Sequence, residues 1–220
     1  MPYPDRHAYP DRNAYPDRNA YPDRFYPVVD SVAWVARLTK LGVGTIQLRA
    51  KNLDDAQSLQ IVSDALEVTK GTPTKLVVND YWRAAVVAGA RHLHLGQEDL
   101  AGADLAAIRD AGLTLGLSTH DDAELETALR AKPDYIALGP IFPTTLKSMR
   151  FAPQGIAKIT EWKKRVGNIP LVAIGGIKLE QAREIFSAGA DSIAVVSDVT
   201  QNADPDVRVR AWLGLNAEAA

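Results

Sequence analysis

Eight short runs rich in Val, Ile and Leu, separated by longer segments of helical spacing, restrict what this chain can fold into more than any other feature. The runs span 25–30, 45–48, 75–78, 92–95, 114–118, 135–138, 171–174 and 192–196. The amphipathic stretches include 54–70, 103–111, 121–131, 179–188 and 204–213, several opened by an Asp placed as an N-cap. Ala88-Gly89-Ala90, Ala111-Gly112-Leu113 and Ala188-Gly189-Ala190 each put a glycine where a helix can close in the left-handed conformation before a strand. Strands that are apolar nearly throughout, rather than alternating, suit a parallel sheet covered on both faces. The expected fold is therefore α/β, a single (β/α)8 TIM barrel. An open doubly wound sheet is the alternative. A barrel collects its chemistry at the C-terminal ends of many strands, an open sheet at one switch point.

Upstream of Phe25 stands a tandem hexapeptide: Tyr3-Pro4-Asp5-Arg6-His7-Ala8, two further units beginning at Tyr9 and Tyr15, and a last Tyr21-Pro22-Asp23-Arg24. Each unit carries one proline, one Asp/Arg pair and one tyrosine, too little apolar surface to offset the entropy of ordering. Residues 1–24 are expected to form a flexible, disordered tail, and 25–220 the barrel. A tyrosine-spaced docking arm is the functional alternative to a tolerated product of repeat slippage. Solenoid units are longer, roughly 20–50 residues. Deleting 2–24 is expected to leave rate and melting temperature almost unchanged.

Composition closes several routes. The 25 basic and 27 acidic residues nearly cancel, so no field draws the chain to nucleic acid or an anionic membrane, and any phosphate binding must be local. The absence of cysteine excludes disulfides, thiolate metal sites and a cysteine nucleophile. No apolar run approaches the roughly 20 residues of a membrane helix, and no basic-then-apolar signal opens the chain. A soluble, cytoplasmic protein is the expectation, with a homo-oligomer left open.

Polar residues gather where the strands end. Gln47, Arg49 and Lys51 follow strand two at alternate positions and so point to one side. Strand three runs into Asn79-Asp80, and strand four into Gln97-Glu98-Asp99. Two carboxylates on adjacent strand ends suit magnesium, which takes one or two protein oxygens and completes its shell from water and substrate phosphates. Capping of the following helices is the plainer use of Asp80 and Asp99. Ser118-Thr119-His120 follows strand five, and a loop from Gly139 to Lys147 follows strand six, its lysine able to reach the same substrate phosphates. Gly175-Gly176 after strand seven and Val196-Ser197 after strand eight lie where such barrels hold a monophosphate on backbone N–H groups. His92 and His94 lack a third nitrogen ligand nearby and are assigned a structural role.

Together Gln47-x-Arg49-x-Lys51, Asn79-Asp80, His94-Leu-Gly-Gln97-x-Asp99, Gly139-Pro-Ile-Phe-Pro-Thr and Ala173-Ile-Gly-Gly-Ile resemble the thiamine phosphate synthase family over residues 25–200. The resemblance implies two phosphorylated small-molecule substrates. Gln47, Arg49, Lys51, Asn79, Ser118 and Lys147 would contact a pyrimidine diphosphate, and of these Arg49, Lys51, Lys147 and Ser118 would be catalytic. Asp80 and Asp99 would hold one Mg2+. Thr144, Thr145, Leu146, Gly176, Val196 and Ser197 would face a thiazole phosphate. Leu146 departs from the family's Thr-x-Thr-Lys, so a hydroxyl contact is lost there or passes to Thr145 or the main chain.

The implied reaction expels diphosphate from the pyrimidine methylene and joins the resulting cation to the thiazole nitrogen, with no general base or covalent nucleophile. Two other readings compete. A thiazole tautomerase on the same barrel would keep Gly176 and Ser197 and move protons with a histidine, for which His120 is the candidate. It would have no use for Gln47, Arg49, Lys51, Asn79, Asp80 or Asp99. A non-catalytic barrel binding a phosphorylated ligand is the third. Diphosphate release separates them.

Overall fold

The computed structural model describes residues 22–144 and 151–217. Its strands are β1 (Phe25–Val29), β2 (Thr45–Leu48), β3 (Lys75–Asn79), β4 (His92–Leu95), β5 (Thr114–Thr119), β6 (Tyr135–Leu138), β7 (Leu171–Ile174) and β8 (Ser192–Val195). The helices are α1 (Val32–Lys40), α2 (Asp55–Thr69), α3 (Trp82–Ala88), α4 (Gln97–Ala101), α5 (Leu105–Asp110), α6 (Asp122–Arg130), α7 (Gly155–Val166), α8 (Ala182–Ser187), α9 (Ser197–Thr200) and α10 (Pro205–Ala217). Each strand pairs in parallel with its successor, and β8 returns to β1 with Phe25 opposite Ile193. Closure excludes the open sheet and gives the expected (β/α)8 barrel.

Local chemistry sets the boundaries. Asp54 opens α2 with a capping box: its carboxylate accepts the Gln57 N–H at 2.8 Å, and the Gln57 side-chain Oε1 accepts the Asp54 N–H at 3.0 Å. Gly89, Gly112 and Gly189 all have positive φ, at 72°, 72° and 109°, as the three helix endings required. Outward residues pack under the helices, with Trp212 of α10 stacked on Phe25 at 5.3 Å.

Strands that read as apolar throughout conceal a divided interior. The inward positions of β1, β6, β7 and β8 carry Tyr26, Val28, Tyr135, Ala137, Val172 and Ala194, joined by Val77 of β3. On β2 to β4 the corresponding positions include Gln47, Asn79 and His94, all buried. Polar groups buried without water must pair with one another or with a ligand, so this half of the barrel is where chemistry is expected.

The tail boundary expected at residue 24 moves. Pro22 to Arg24 belong to the barrel, and residues 1–21 lie outside the described residues. The Asp23 N–H donates to Thr45 Oγ1 at 3.1 Å, Thr45 Oγ1 donates to the Asp23 carboxylate at 3.0 Å, and Ser192 Oγ donates to the Asp23 carbonyl at 2.6 Å. Lys75 Nζ stands 3.6 Å from the same carboxylate. Arg24 lies 3.7 Å over the Phe186 ring, and its carbonyl accepts the Ile193 N–H at 2.8 Å. The first residues of β2, β3 and β8 are thus tied together at the N-terminal face by the last repeat unit. Deleting 2–21 keeps this anchor, whereas deleting 2–24 removes several partly buried hydrogen bonds worth about 1 kcal/mol each. The longer truncation is expected to cost about 2 kcal/mol more than the shorter, measured by denaturant unfolding; equal stabilities would refute the anchoring role.

Candidate active site

Three charged groups meet at the C-terminal rim of β2 to β4. Arg49 continues β2, its N–H donating to the Val29 carbonyl at 2.7 Å, and its side chain is half-buried. Asp80 follows β3 in a left-handed turn (φ 66°), with its N–H bonded to the His94 carbonyl at 2.9 Å. Asp99 is the third residue of α4, which starts directly after β4. The two carboxyls lie close enough that each bears on the other's protonation. Burial, then the neighbouring Asp99 charge, push Asp80 up to about 6, against the downward pull of Arg49 and the Gly96 N–H. Neither aspartate is a helix N-cap: those residues are Tyr81 for α3 and Gly96 for α4, neither with a side-chain cap. Capping therefore does not account for them. A cleft of about 270 Å³ opens beside the pair, lined also by Asp55, Tyr81 and Glu98. Among the described residues no group of three or more His, Cys, Asp or Glu is placed to hold a metal by itself.

Asn79 points inward beside this cluster. It is buried, and its Nδ2 has no hydrogen-bond partner. An unpaired buried donor costs roughly 1–3 kcal/mol, which a ligand acceptor would recover. Gln47 Nε2 donates to the Tyr26 hydroxyl at 2.7 Å, and Ser118 Oγ lies 2.8 Å from His94 Nε2. Lys51 is exposed just beyond β2.

The opposite side of the mouth is built from backbone. Gly176 has φ 67°, and a Cβ there would sit 2.5 Å from the Pro143 carbonyl oxygen, so the β6 loop, and not only a ligand, demands glycine. That loop is stitched to β7 by Ile141 N–H to the Ile174 carbonyl at 2.9 Å and Phe142 N–H to the Gly175 carbonyl at 3.0 Å. Val196 precedes α9, and its carbonyl accepts the N–H groups of Val199 and Thr200 at 3.1 and 2.9 Å. Ser197 is the first residue of α9, and Thr144 is half-buried at the end of the described loop. Thr145, Leu146 and Lys147 lie outside the described residues. Of the expected site, Arg49, Asp80 and Asp99 are in mutual contact or charge range, while Gly176, Val196 and Ser197 share the rim on β7 and β8.

Residues 24–199 match the family model described as thiamine monophosphate synthase. A thiamine-phosphate synthase of Rhizobium etli is 53% identical over 193 residues, covering 88% of this chain and 95% of that protein. The chain belongs to the thiamine monophosphate synthase family. It is an enzyme of the transferase class, as the motifs imply. A second relative, the thiamine-phosphate synthase of Neisseria meningitidis serogroup B, is 48% identical over 192 residues, covering 87% of this chain and 94% of that protein. Among solved structures, thiamine phosphate pyrophosphorylase from Pyrococcus furiosus superposes with a TM-score of 0.78 at 26% identity, covering 92% of this chain and 98% of that one. 3-Hexulose-6-phosphate synthase, at 14% identity and TM-score 0.65 over 86% of this chain and 97% of that one, shares the fold. No helix among the described residues is long and apolar enough to cross a membrane.

Two features of this chain escaped the sequence. His94, given a structural role, directly contacts Ser118 and, at Nδ1, the Tyr135 hydroxyl at 2.9 Å. Its parity with Asn79 across β3 and β4 was the available signal. Asp198, almost enclosed, accepts from Leu179 N–H, Arg208 and Trp212 Nε1, fastening α9 to α10 and to the segment after β7. His120, the tautomerase candidate, instead bonds Glu124 at 2.7 Å and stacks on Phe151 at 4.7 Å.

Burial, and secondarily the Arg49 charge, push His94 down to about 3, so the folded ring stays neutral where the unfolded one is protonated. The unfolded chain then binds the extra proton, and stability present above about pH 6.5 is lost as pH falls toward 3. The expected slope from this residue reaches about 1.4 kcal/mol per pH unit. Unfolding free energies at pH 7 and 5 should diverge less in His94→Gln than in the unaltered chain; an equal divergence would exclude His94 as the source.

Proposed function

We propose that this family member condenses 4-amino-2-methyl-5-hydroxymethylpyrimidine diphosphate with 4-methyl-5-(2-hydroxyethyl)thiazole phosphate to give thiamine phosphate and diphosphate, or with its carboxylated form to give the same products and carbon dioxide. The observation that carries the reading is the convergence of Arg49 with the Asp80 and Asp99 pair on one rim. A lone anion would be repelled by the two carboxylates, whereas a magnesium diphosphate matches both signs of charge.

The methylene carbon loses its bond to the diphosphate oxygen, and the electron pair leaves with the diphosphate. The ring amino group stabilises the cation by resonance, and the thiazole nitrogen lone pair then forms the new C–N bond. That nitrogen has no proton to lose, so no base is required, in keeping with a His94 that stays neutral. Arg49, Lys51 and Lys147 stabilise the charge growing on the leaving group, each worth several kcal/mol when preorganised. Asp80 and Asp99 are the residues that would hold one Mg2+: burial first, and then the Asp99 charge, push Asp80 up to about 6, and both penalties on the charged carboxylate are of the kind a divalent cation relieves. When bound, the ion supplies further positive charge to the departing diphosphate. Asn79 spends its unpaired N–H on the pyrimidine diphosphate, and Gln47 and Ser118 orient its ring. Gly176, Val196 and Ser197, with Thr144, Thr145 and Leu146, receive the thiazole phosphate, so that binding brings the two reacting atoms together.

Diphosphate should be liberated only when both substrates and magnesium are present. Release from the pyrimidine substrate alone at the full rate, or no release from the complete mixture, would end this reading.

A further inference from the structure

Five side chains inside the barrel form one unbranched hydrogen-bonded line. Gln47 Nε2 lies 2.7 Å from the Tyr26 hydroxyl, which lies 2.9 Å from the Tyr135 hydroxyl. Tyr135 lies 2.9 Å from His94 Nδ1, and His94 Nε2 lies 2.8 Å from Ser118 Oγ. Gln47, Tyr26, Tyr135 and His94 are all buried. Gly116 makes the line possible. It occupies the inward position of β5, between β4 and β6, and its missing side chain leaves the space through which Tyr135 reaches His94: a Cβ there would fall 2.0 Å from Tyr135 Cζ.

Proton counting gives the line a direction. An amide nitrogen only donates, so Tyr26 accepts from Gln47. The Tyr26 proton then has one destination among the described residues, the Tyr135 oxygen, and a buried O–H left without an acceptor is penalised. Tyr135, having accepted, donates to His94 Nδ1. A neutral imidazole that accepts at Nδ1 carries its proton on Nε2, and Nε2–H donates to Ser118 Oγ. The Ser118 hydroxyl proton is left to be given to a group outside the line. The reverse run would require the Gln47 amide turned over, with its oxygen accepting from Tyr26.

We infer that His94, backed by Tyr135 and Tyr26, is a positioning residue that holds Ser118 as a hydrogen-bond donor toward the substrate, so that Ser118 recognises a ring-nitrogen lone pair rather than an N–H group. An aminopyrimidine offers both, ring nitrogens that accept and an exocyclic amine that donates. A serine of fixed polarity therefore fixes which edge of the ring it meets. This rests on the proposed function for the substrate's identity, and on the barrel alone for the direction of the line.

The test begins with nitrogen-15 spectra of the full chain labelled at histidine, without substrate, using His94→Gln to assign the resonances. His94 should show a protonated Nε2 and an unprotonated Nδ1. The opposite pattern makes Ser118 the donor to His94 and overturns the inference, whatever the enzyme turns over. Tyr135→Phe keeps the ring and breaks the line; it should yield a mixture of His94 tautomers and a KM for the pyrimidine diphosphate raised about tenfold, with the KM for the thiazole phosphate unchanged. An unmixed tautomer with both constants unmoved also overturns it. A pyrimidine diphosphate analogue with its ring nitrogens replaced by C–H should bind the unaltered chain about tenfold more weakly than the pyrimidine, and Ser118→Ala should lose that preference. Failure of diphosphate release would sink the proposed function and leave the spectra to decide the direction of the line.

Discussion

Asp99→Asn is expected to raise the melting temperature of the metal-free protein while lowering diphosphate release by about a thousandfold. The two effects have one source. Asp80 is held up at about 6 first by burial and then by Asp99, so the folded state keeps a proton that the unfolded chain gives up near 4. The stability contributed by that retained proton is present below the ordinary carboxylate range and is lost as pH rises through about 6. Removing the Asp99 charge relieves the repulsion, so the gain should be full at pH 8, on the order of 1 kcal/mol after allowing for solvent screening, and should shrink below pH 5. The catalytic loss follows because the asparagine amide is a poor magnesium ligand where the proposed reading needs a carboxylate. Thermal melts at both pH values and a diphosphate assay decide it; a lower melting temperature at pH 8, or retained release, would contradict the account.

Gly116→Ala is expected to cost about 3 kcal/mol and most of the affinity for the pyrimidine substrate. The added methyl would lie 2.0 Å from Tyr135 Cζ and 2.4 Å from its hydroxyl oxygen. The ring has nowhere to retreat. It stacks on His94 at 5.5 Å and meets Tyr26 edge-on at 6.1 Å. Displacing it strains the barrel and breaks the line that ends on Ser118. Tyr135→Leu in the Gly116→Ala background should recover part of the stability by vacating the space, without recovering substrate affinity. A single Gly116→Ala chain that melts and binds as the unaltered one would show that the interior repacks freely.

The barrel was legible because its parallel strands are short, apolar and punctuated by helices with recognisable caps, and because alternate residues past a strand end share one side. Alternation gathered Gln47, Arg49 and Lys51, and the ends of strands three and four gathered Asn79, Asp80 and Asp99. Both rules failed inside the barrel for a physical reason. In His92-Leu-His-Leu95 and Tyr135-Ile-Ala-Leu138, a histidine or tyrosine destined for the lumen looks the same as one covered by a helix, and only adjacency across strands tells them apart. Gly116 reads as a weak strand residue until the ring that fills its place is known. Asp23 and Arg24 were misassigned because they repeat the composition of units that precede them; what distinguishes them is the chain that follows.

That last point bears on how the array can change in length. The anchor at the base of the barrel is Pro22-Asp23-Arg24 abutting Phe25, and every upstream unit carries the same Pro-Asp-Arg. Excising residues 19–24 would bring Pro16-Asp17-Arg18 against Phe25, with an identical anchor delivered by a different copy. Replication slippage in whole hexamers is thus invisible to the enzyme's base, and the array is free to grow or contract across generations provided that one copy survives at the junction.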